Sequence, residues 1–411
     1  MKNRFFQVGL SLILSLVFIF GWWVNSAAAL TEDRRVVAEV WRIVNSAYVD
    51  STFNHQNWWS VRQKALRKSL KSREEAYSTI DEMLETLEDP FTRHLKPKQY
   101  ESLQVSTSGE LTGVGLQIAL DGKTGDLQVV SPIAGSPAEK AGIKPHDLIL
   151  AIDGVSTKQI SLDEAAARMR GPIGTTVTLR VATNGQEPQD INLVRDLISL
   201  NPVVAELRSP PERSPIGYIR LTQFNANAAK EVANAITEFE SQGADAYILD
   251  LRNNPGGLLQ AGIDIARLWL NRGTIVYTVN RQGIFGSFDA YGSPLTQDPL
   301  VVLVNGGTAS ASEILAGALQ ENDRAQLVGE KTFGKGLIQS LFELSDGSGL
   351  AVTVAKYETP KHHDINKLGI MPDRIVTWEP NKGGLYATKS DPQYQAALKL
   401  LNVNTVLADA A

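Results

Sequence analysis

The chain has 411 residues, 43% of them hydrophobic, which suits two or three globular domains with sizeable cores. It contains no cysteine, so thiol nucleophiles, thiolate metal sites and disulfides are excluded together. A formal net charge of −5 without a basic stripe argues against a nucleic-acid partner.

Residues 1–29 read as an export signal. Lys2 and Arg4 precede a nearly unbroken apolar run over 8–20, and Ala27, Ala28 and Ala29 offer small residues for cleavage. Cleavage after Ala29 leaves Leu30 first. The alternative is an uncleaved anchor over 5–24, with Trp22 and Trp23 at an interface.

Residues 30–99 read as a helical domain. Val36, Val37, Val40, Trp41 and Val44 recur on one helical face, and further amphipathic runs cover 58–70 and 76–87, the latter stopped by Asp89 and Pro90. His94, in the turn beyond, reads as a structural histidine.

From 100 to 190 short β-type runs alternate with glycines. Strands are expected at 113–118, 127–130, 147–154 and 176–182, and helices at 137–142 and 161–170. This order, and the segment 136–154 above all, resembles a PDZ domain. The resemblance implies capture of an apolar protein C-terminus as an added strand, its carboxylate held by the loop of Gly113, Val114, Gly115 and Leu116.

From 191 to 378 strands at 216–221, 246–251, 274–280 and 300–305 alternate with helices at 228–242, 262–270 and 312–322. That pattern predicts an α/β core with a partly parallel sheet. A tail, 379–411, follows, helical near 394–401. The fold class is therefore α/β multidomain: N-terminal helices, an inserted PDZ domain and an α/β core.

Within the core, residues 301–316 read VVLVNGGTASASEILA, a buried strand turning into a helix. Such a turn exposes a side chain near helix N-terminal amides. Ser310 there is a candidate nucleophile; as a bland reading it is a helix N-cap, and Ser312 is its rival. Histidine is scarce, so a lysine base is considered. A lysine pKa of about 10.4 must fall about 3 units, roughly 4 kcal/mol of differential solvation, to serve near neutral pH, and burial supplies shifts of that size. Lys335 lies between Gly334 and Gly336, beside Phe333, Leu337 and Ile338, which can exclude water. Lys331 is the rival base, read as a solvated charge.

TASASE followed by GKGLIQ resembles the signature of the C-terminal processing (tail-specific) serine peptidases, a likeness that runs in order over 31–378. It implies Ser310 as nucleophile, Lys335 as base and Gln339 as the residue orienting the lysine ammonium, with Glu313 in support. The loop after Asp250 and Arg252, which read as an ion pair, would give an oxyanion donor at Gly256, or next to it at Gly257, with the Ala311 amide as the second. Glu321 lies where some relatives carry a supporting aspartate, and its role stays open. Arg170, ending the PDZ helix, is a candidate relay to the core. His362 and His363 point apart on an extended chain, so no metal is expected there, and no cofactor is called for.

The segment AEVWRIVNSAYVDSTFNHQNWW is most similar to the cyanobacterial and chloroplast branch. That branch implies trimming of the C-terminal extension of a photosystem II reaction-centre precursor in the thylakoid lumen, near a membrane surface. A general periplasmic tail-specific protease is the alternative within the class, and an inactive PDZ scaffold the alternative outside it.

Overall fold

The computed structural model describes residues 32–122, 124–183, 186–209, 214–378 and 386–408. The expected export signal lies outside the described residues. Among the described residues no helix is long and apolar enough to cross a membrane. The chain forms two compact units, residues up to 97 with 339–353, and residues 98–338 with 354–411.

In the first unit three helices pack together: α1 (Glu32–Ala47), α2 (Trp58–Arg67) and α3 (Arg73–Glu85). The predicted apolar face of α1 is the buried one, with Val36, Val37, Val40 and Val44 essentially sealed from solvent. Burial of each such side chain is worth about 1.5–3 kcal/mol. Strand β1 (Arg93–Leu95) follows and pairs antiparallel with residues 349–351. His94 is buried there against the Tyr77 ring, centroids 4.5 Å apart.

The second unit begins with α4 (Pro97–Ser108), a helix the sequence pattern does not predict, because it buries only Tyr100 and carries no apolar stripe. Then come β2 (Glu110–Gly113), β3 (Leu116–Leu120), β4 (Leu127–Pro132), α5 (Pro137–Lys140), β5 (Leu148–Ile152), β6 (Val155–Ser156), α6 (Leu162–Met169), β7 (Thr176–Ala182) and β8 (Gln189–Val194). Their sheet runs β3-β4-β5-β7-β8, so β3 is an edge strand, and a separate core seals Val129, Ile152, Val177 and Leu179. Strand β9 (Asp196–Ser199) pairs back with β2.

Strands β10 (Val203–Arg208), β11 (Ile216–Leu221), β12 (Ala246–Asp250), β15 (Leu300–Val304), β16 (Ala325–Gly329) and β19 (Arg374–Ile375) form the central sheet in that order. All pairs except β10–β11 are parallel. Helices α7 (Ala228–Ser241), α8 (Leu259–Trp269) and α9 (Ala311–Glu321) pack on one side of it, and α10 (Pro392–Ala408) on the other. Every residue of β12 and β15 is buried, as covering both faces requires. A hairpin of β13 (Arg272–Asn280) and β14 (Gly283–Tyr291) joins residues 356–358. Strands β17 (Leu337–Glu343) and β18 (Gly349–Glu358) complete the set.

Candidate active site

The C-terminal ends of β12 and β15 lie side by side, and the loops leaving them build the site. After β15 the chain turns on Asn305, whose side chain accepts the Gly307 N–H at 3.0 Å, and Thr308 Oγ1 anchors the turn to the Leu251 carbonyl at 2.9 Å. Ser310 follows at φ 58°, ψ −120°, a conformation that costs a non-glycine residue about 1–3 kcal/mol. Besides the Glu313 N–H, which its carbonyl accepts at 2.8 Å, three contacts hold it there. Its N–H donates to Glu313 Oε2 at 2.9 Å, its carbonyl accepts the Ile314 N–H at 3.0 Å, and that carbonyl also accepts the Tyr357 hydroxyl at 3.2 Å. Burial pushes the Tyr357 phenol far above its ordinary pKa, and the Glu313 charge adds to this, so it stays a donor. Ser310 is half-buried at the start of α9.

Ser312, the rival, is fully buried and its hydroxyl is spent on the Asn254 carbonyl at 3.0 Å.

Glu313 is the centre of the arrangement. Its carboxylate is sealed from solvent, yet it accepts four hydrogen bonds: from Ser310 N–H, Thr332 Oγ1, Gly334 N–H and Lys335 N–H. Oε2 takes both Ser310 and Lys335, each at 2.9 Å. One buried oxygen therefore ties together backbone amides 25 positions apart in the chain. Such a burial is tolerated only because donors replace the lost water.

Lys335 is half-buried while Lys331 is exposed. The two glycines around Lys335 do permit the expected close approach. A Cβ on Gly334 would lie 2.8 Å from the Gly369 amide, and one on Gly336 would lie 2.8 Å from the Asn366 amide. Phe333 departs from expectation. It is 58% exposed, while Glu313 and the Thr308 carbonyl hold the backbone beside it inward. Ile338 does pack against the core. Gln339, on β17, opens the stretch assigned to the first unit, and its Nε2 is buried without a hydrogen-bond partner.

Gly256 lies against Ser310. A Cβ there would come within 2.8 Å of Ser310 Cβ and 2.9 Å of the Ala311 nitrogen. Its N–H, however, already donates to Asn254 Oδ1 at 2.9 Å. Gly256 can therefore serve an oxyanion only when that bond opens. Asn254, which the sequence reading passed over, is fully buried. Its Nδ2 donates to the Leu221 carbonyl and its own carbonyl accepts the Ala309 N–H at 3.0 Å, linking the two loops.

Asp250 and Arg252 form the expected ion pair, both sealed from solvent. Burial opposes the Arg252 charge, but Asp250 and Asp391 more than offset it and hold its pKa above the ordinary value. His362 and His363 turn to different carboxylates, Glu358 and Glu321, each at 2.8 Å. Glu321 also accepts Thr359 Oγ1 and the Lys361 N–H, so it braces that turn.

In the inserted domain Gly115 has φ 77°, and a Cβ would strike Ser136 Cβ at 2.2 Å. The carbonyls of Val114 and Gly115 are consumed by Ala138 and Ile133 amides at 2.9 Å, which fixes the loop preceding β3. Gly113 rests on Met169 and Arg170 at the end of α6, and Arg170 itself is exposed.

The family model described as peptidase family S41 matches residues 215–376, and a PDZ model matches 128–183. The carboxyl-terminal-processing protease of a Synechocystis strain is 61% identical over 407 residues, covering 99% of this chain and 95% of that one. The chain belongs to the carboxyl-terminal-processing proteases of peptidase family S41. The chloroplastic carboxyl-terminal-processing peptidase 2 of Arabidopsis thaliana is 48% identical, over 84% of this chain and 69% of that protein. Among solved structures, a photosystem II D1 C-terminal processing protease matches with TM-score 0.54 and 40% identity, covering 89% of this chain and 99% of that one. The chain is thus a processing protease with a PDZ domain, of the cyanobacterial and chloroplast branch.

Proposed function

We propose that this processing protease is an exported serine endopeptidase acting through a Ser310–Lys335 dyad. The observation that carries the reading is the shared Glu313 Oε2, which brings the main chains of both residues to one point. Neutral Lys335 Nζ takes the proton from Ser310 Oγ as Oγ attacks the scissile carbonyl. The oxyanion forms against the Ala311 amide at the start of α9, joined by the Gly256 amide once Asn254 releases it. Lys335 then passes the proton to the leaving amine, and water hydrolyses the acyl-enzyme by the same path in reverse. Gln339 supports the lysine ammonium.

Substrate capture falls to Gly113, Val114, Gly115 and Leu116, which open onto the edge strand β3 and would extend it by one peptide strand. Arg170, against which Gly113 packs, relays occupancy to the core. The relative solved as a photosystem II D1 processing protease supports the D1 precursor as substrate and the thylakoid lumen as location.

The test is cleavage of a peptide matching a D1 precursor tail, read by intact mass, with Ser310→Ala and Lys335→Ala as comparators. A single internal C-terminal cut, lost in both variants, supports the reading. Cutting that persists in Lys335→Ala removes the lysine base. Cutting only of other apolar-tailed peptides points to a general tail-specific protease, and a silent wild type to a PDZ scaffold.

A further inference from the structure

We infer that Asp391 is a positioning residue for the reaction, and that the segment around it, beyond the matched stretch 215–376, clamps the oxyanion loop from behind. The inference rests on the proposed Ser310 chemistry. Asp391 is fully buried and performs two tasks at once. It starts helix α10, its Oδ1 accepting the amides of Gln393 at 3.1 Å and Tyr394 at 3.0 Å, and its Oδ2 the Ala387 amide at 3.0 Å. It is also a second counter-ion of Arg252, at 2.9 and 3.0 Å.

Two further contacts arrive from the same segment. Gln393 Oε1 accepts from Arg252 Nη1 at 3.0 Å, and the Tyr386 hydroxyl accepts from Asn253 Nδ2 at 2.6 Å. The rings of Trp378 and Tyr386, in edge contact with each other, both lie near the guanidinium, at 5.2 and 4.9 Å. The held residues, Arg252 and Asn253, directly precede Asn254, whose carbonyl receives Ala309 N–H and Ser312 Oγ beside the nucleophile. The path from α10 thus runs through the buried Arg252 and along the main chain of 252–254 to the Ala309 amide and the Ser312 hydroxyl, on either side of Ser310.

The cap bonds of Asp391 serve stability, whereas its pairing with Arg252 is less readily explained that way. Two carboxylates on one guanidinium leave an excess buried negative charge, and buried ion pairs are often matched in stability by apolar packing. Orientation of the loop is what the cluster uniquely provides.

The experiment compares Asp391→Ala, Asp391→Asn and Asp391→Glu with wild type on the cleaved peptide, together with the rate at which a fluorophosphonate labels Ser310 and the affinity of a non-cleaved C-terminal peptide. Asn keeps one cap oxygen and the volume, so it is the variant expected to fold should Ala fail to. The expected result is kcat lowered by about 10²-fold and labelling slowed in step, as for loss of an oxyanion donor, with KM and peptide affinity within about two-fold of wild type and Asp391→Glu partly restored. A lower melting temperature with kcat and labelling per folded molecule unchanged overturns the inference. If Ser310→Ala still cuts, the underlying reading of the nucleophile fails and takes this inference with it.

Discussion

At the scale of single residues, one buried carboxylate, Glu313, gathers four neutral donors at the site. Glu313→Gln keeps the volume but removes the charge and turns an NH2 group toward some of the four donors that Glu313 now accepts. We expect a loss of about 2–3 kcal/mol in stability, from weakened charge-assisted bonds and unsatisfied amides, measured by denaturant unfolding. Cleavage should fall far more than that loss of folded protein accounts for, since Ser310 and Lys335 lose a common anchor. Equal loss of both would reduce Glu313 to a stability role. Much of this residue chemistry was legible in the sequence because it lies in two short contiguous motifs. The hydrogen bond from Gly256 to Asn254 was not, since nothing in a Asn-Asn-Pro-Gly-Gly run says where an amide points. Asp391 was less legible still: it reaches Arg252 across 139 positions, from a segment that reads as a fading tail.

Among elements, the junction of α3 with β1 carries a pH dependence. His94 sits beneath Tyr77 with Nε2 buried and unpaired. Burial lowers its pKa below the ordinary 6.5, with Lys96 acting in the same direction and Asp346 and Glu74 opposing. A depressed histidine pKa means the unfolded chain binds the proton more readily. Stability is then complete above about pH 6.5 and declines as pH falls below it. Melting temperatures across pH 7.5 to 5 should fall in wild type and fall less in His94→Gln; identical slopes would remove His94 as the cause. Helix α1 was predictable from its valine spacing, whereas α4 was not, having one buried side chain in twelve residues.

Over the whole molecule, the PDZ domain and the catalytic turns are separable in function if the proposed division of labour holds. Gly115→Ala forces a methyl into Ser136 at a backbone angle alanine resists, so it deforms the carboxylate-binding loop and leaves the residues around Ser310 untouched. Cleavage of a long-tailed substrate should show a KM raised about ten-fold or more, while fluorophosphonate labelling of Ser310 stays near wild type. Loss of labelling as well would show that the loop also governs the catalytic turn. The domain order was readable because each region has its own periodicity and punctuation.

The junction at Glu313 Oε2 has one more consequence. Two parts located against the same datum keep their spacing even when the datum moves. Thermal excursions of α9 carry Ser310 and Lys335 in the same direction, so jitter of the helix cancels in the distance between them. Had each been fixed to a different wall of the cleft, the same excursions would add. Under the proposed dyad, the main chains that carry the two reacting groups would stay in register by common reference, without the surrounding fold having to be rigid.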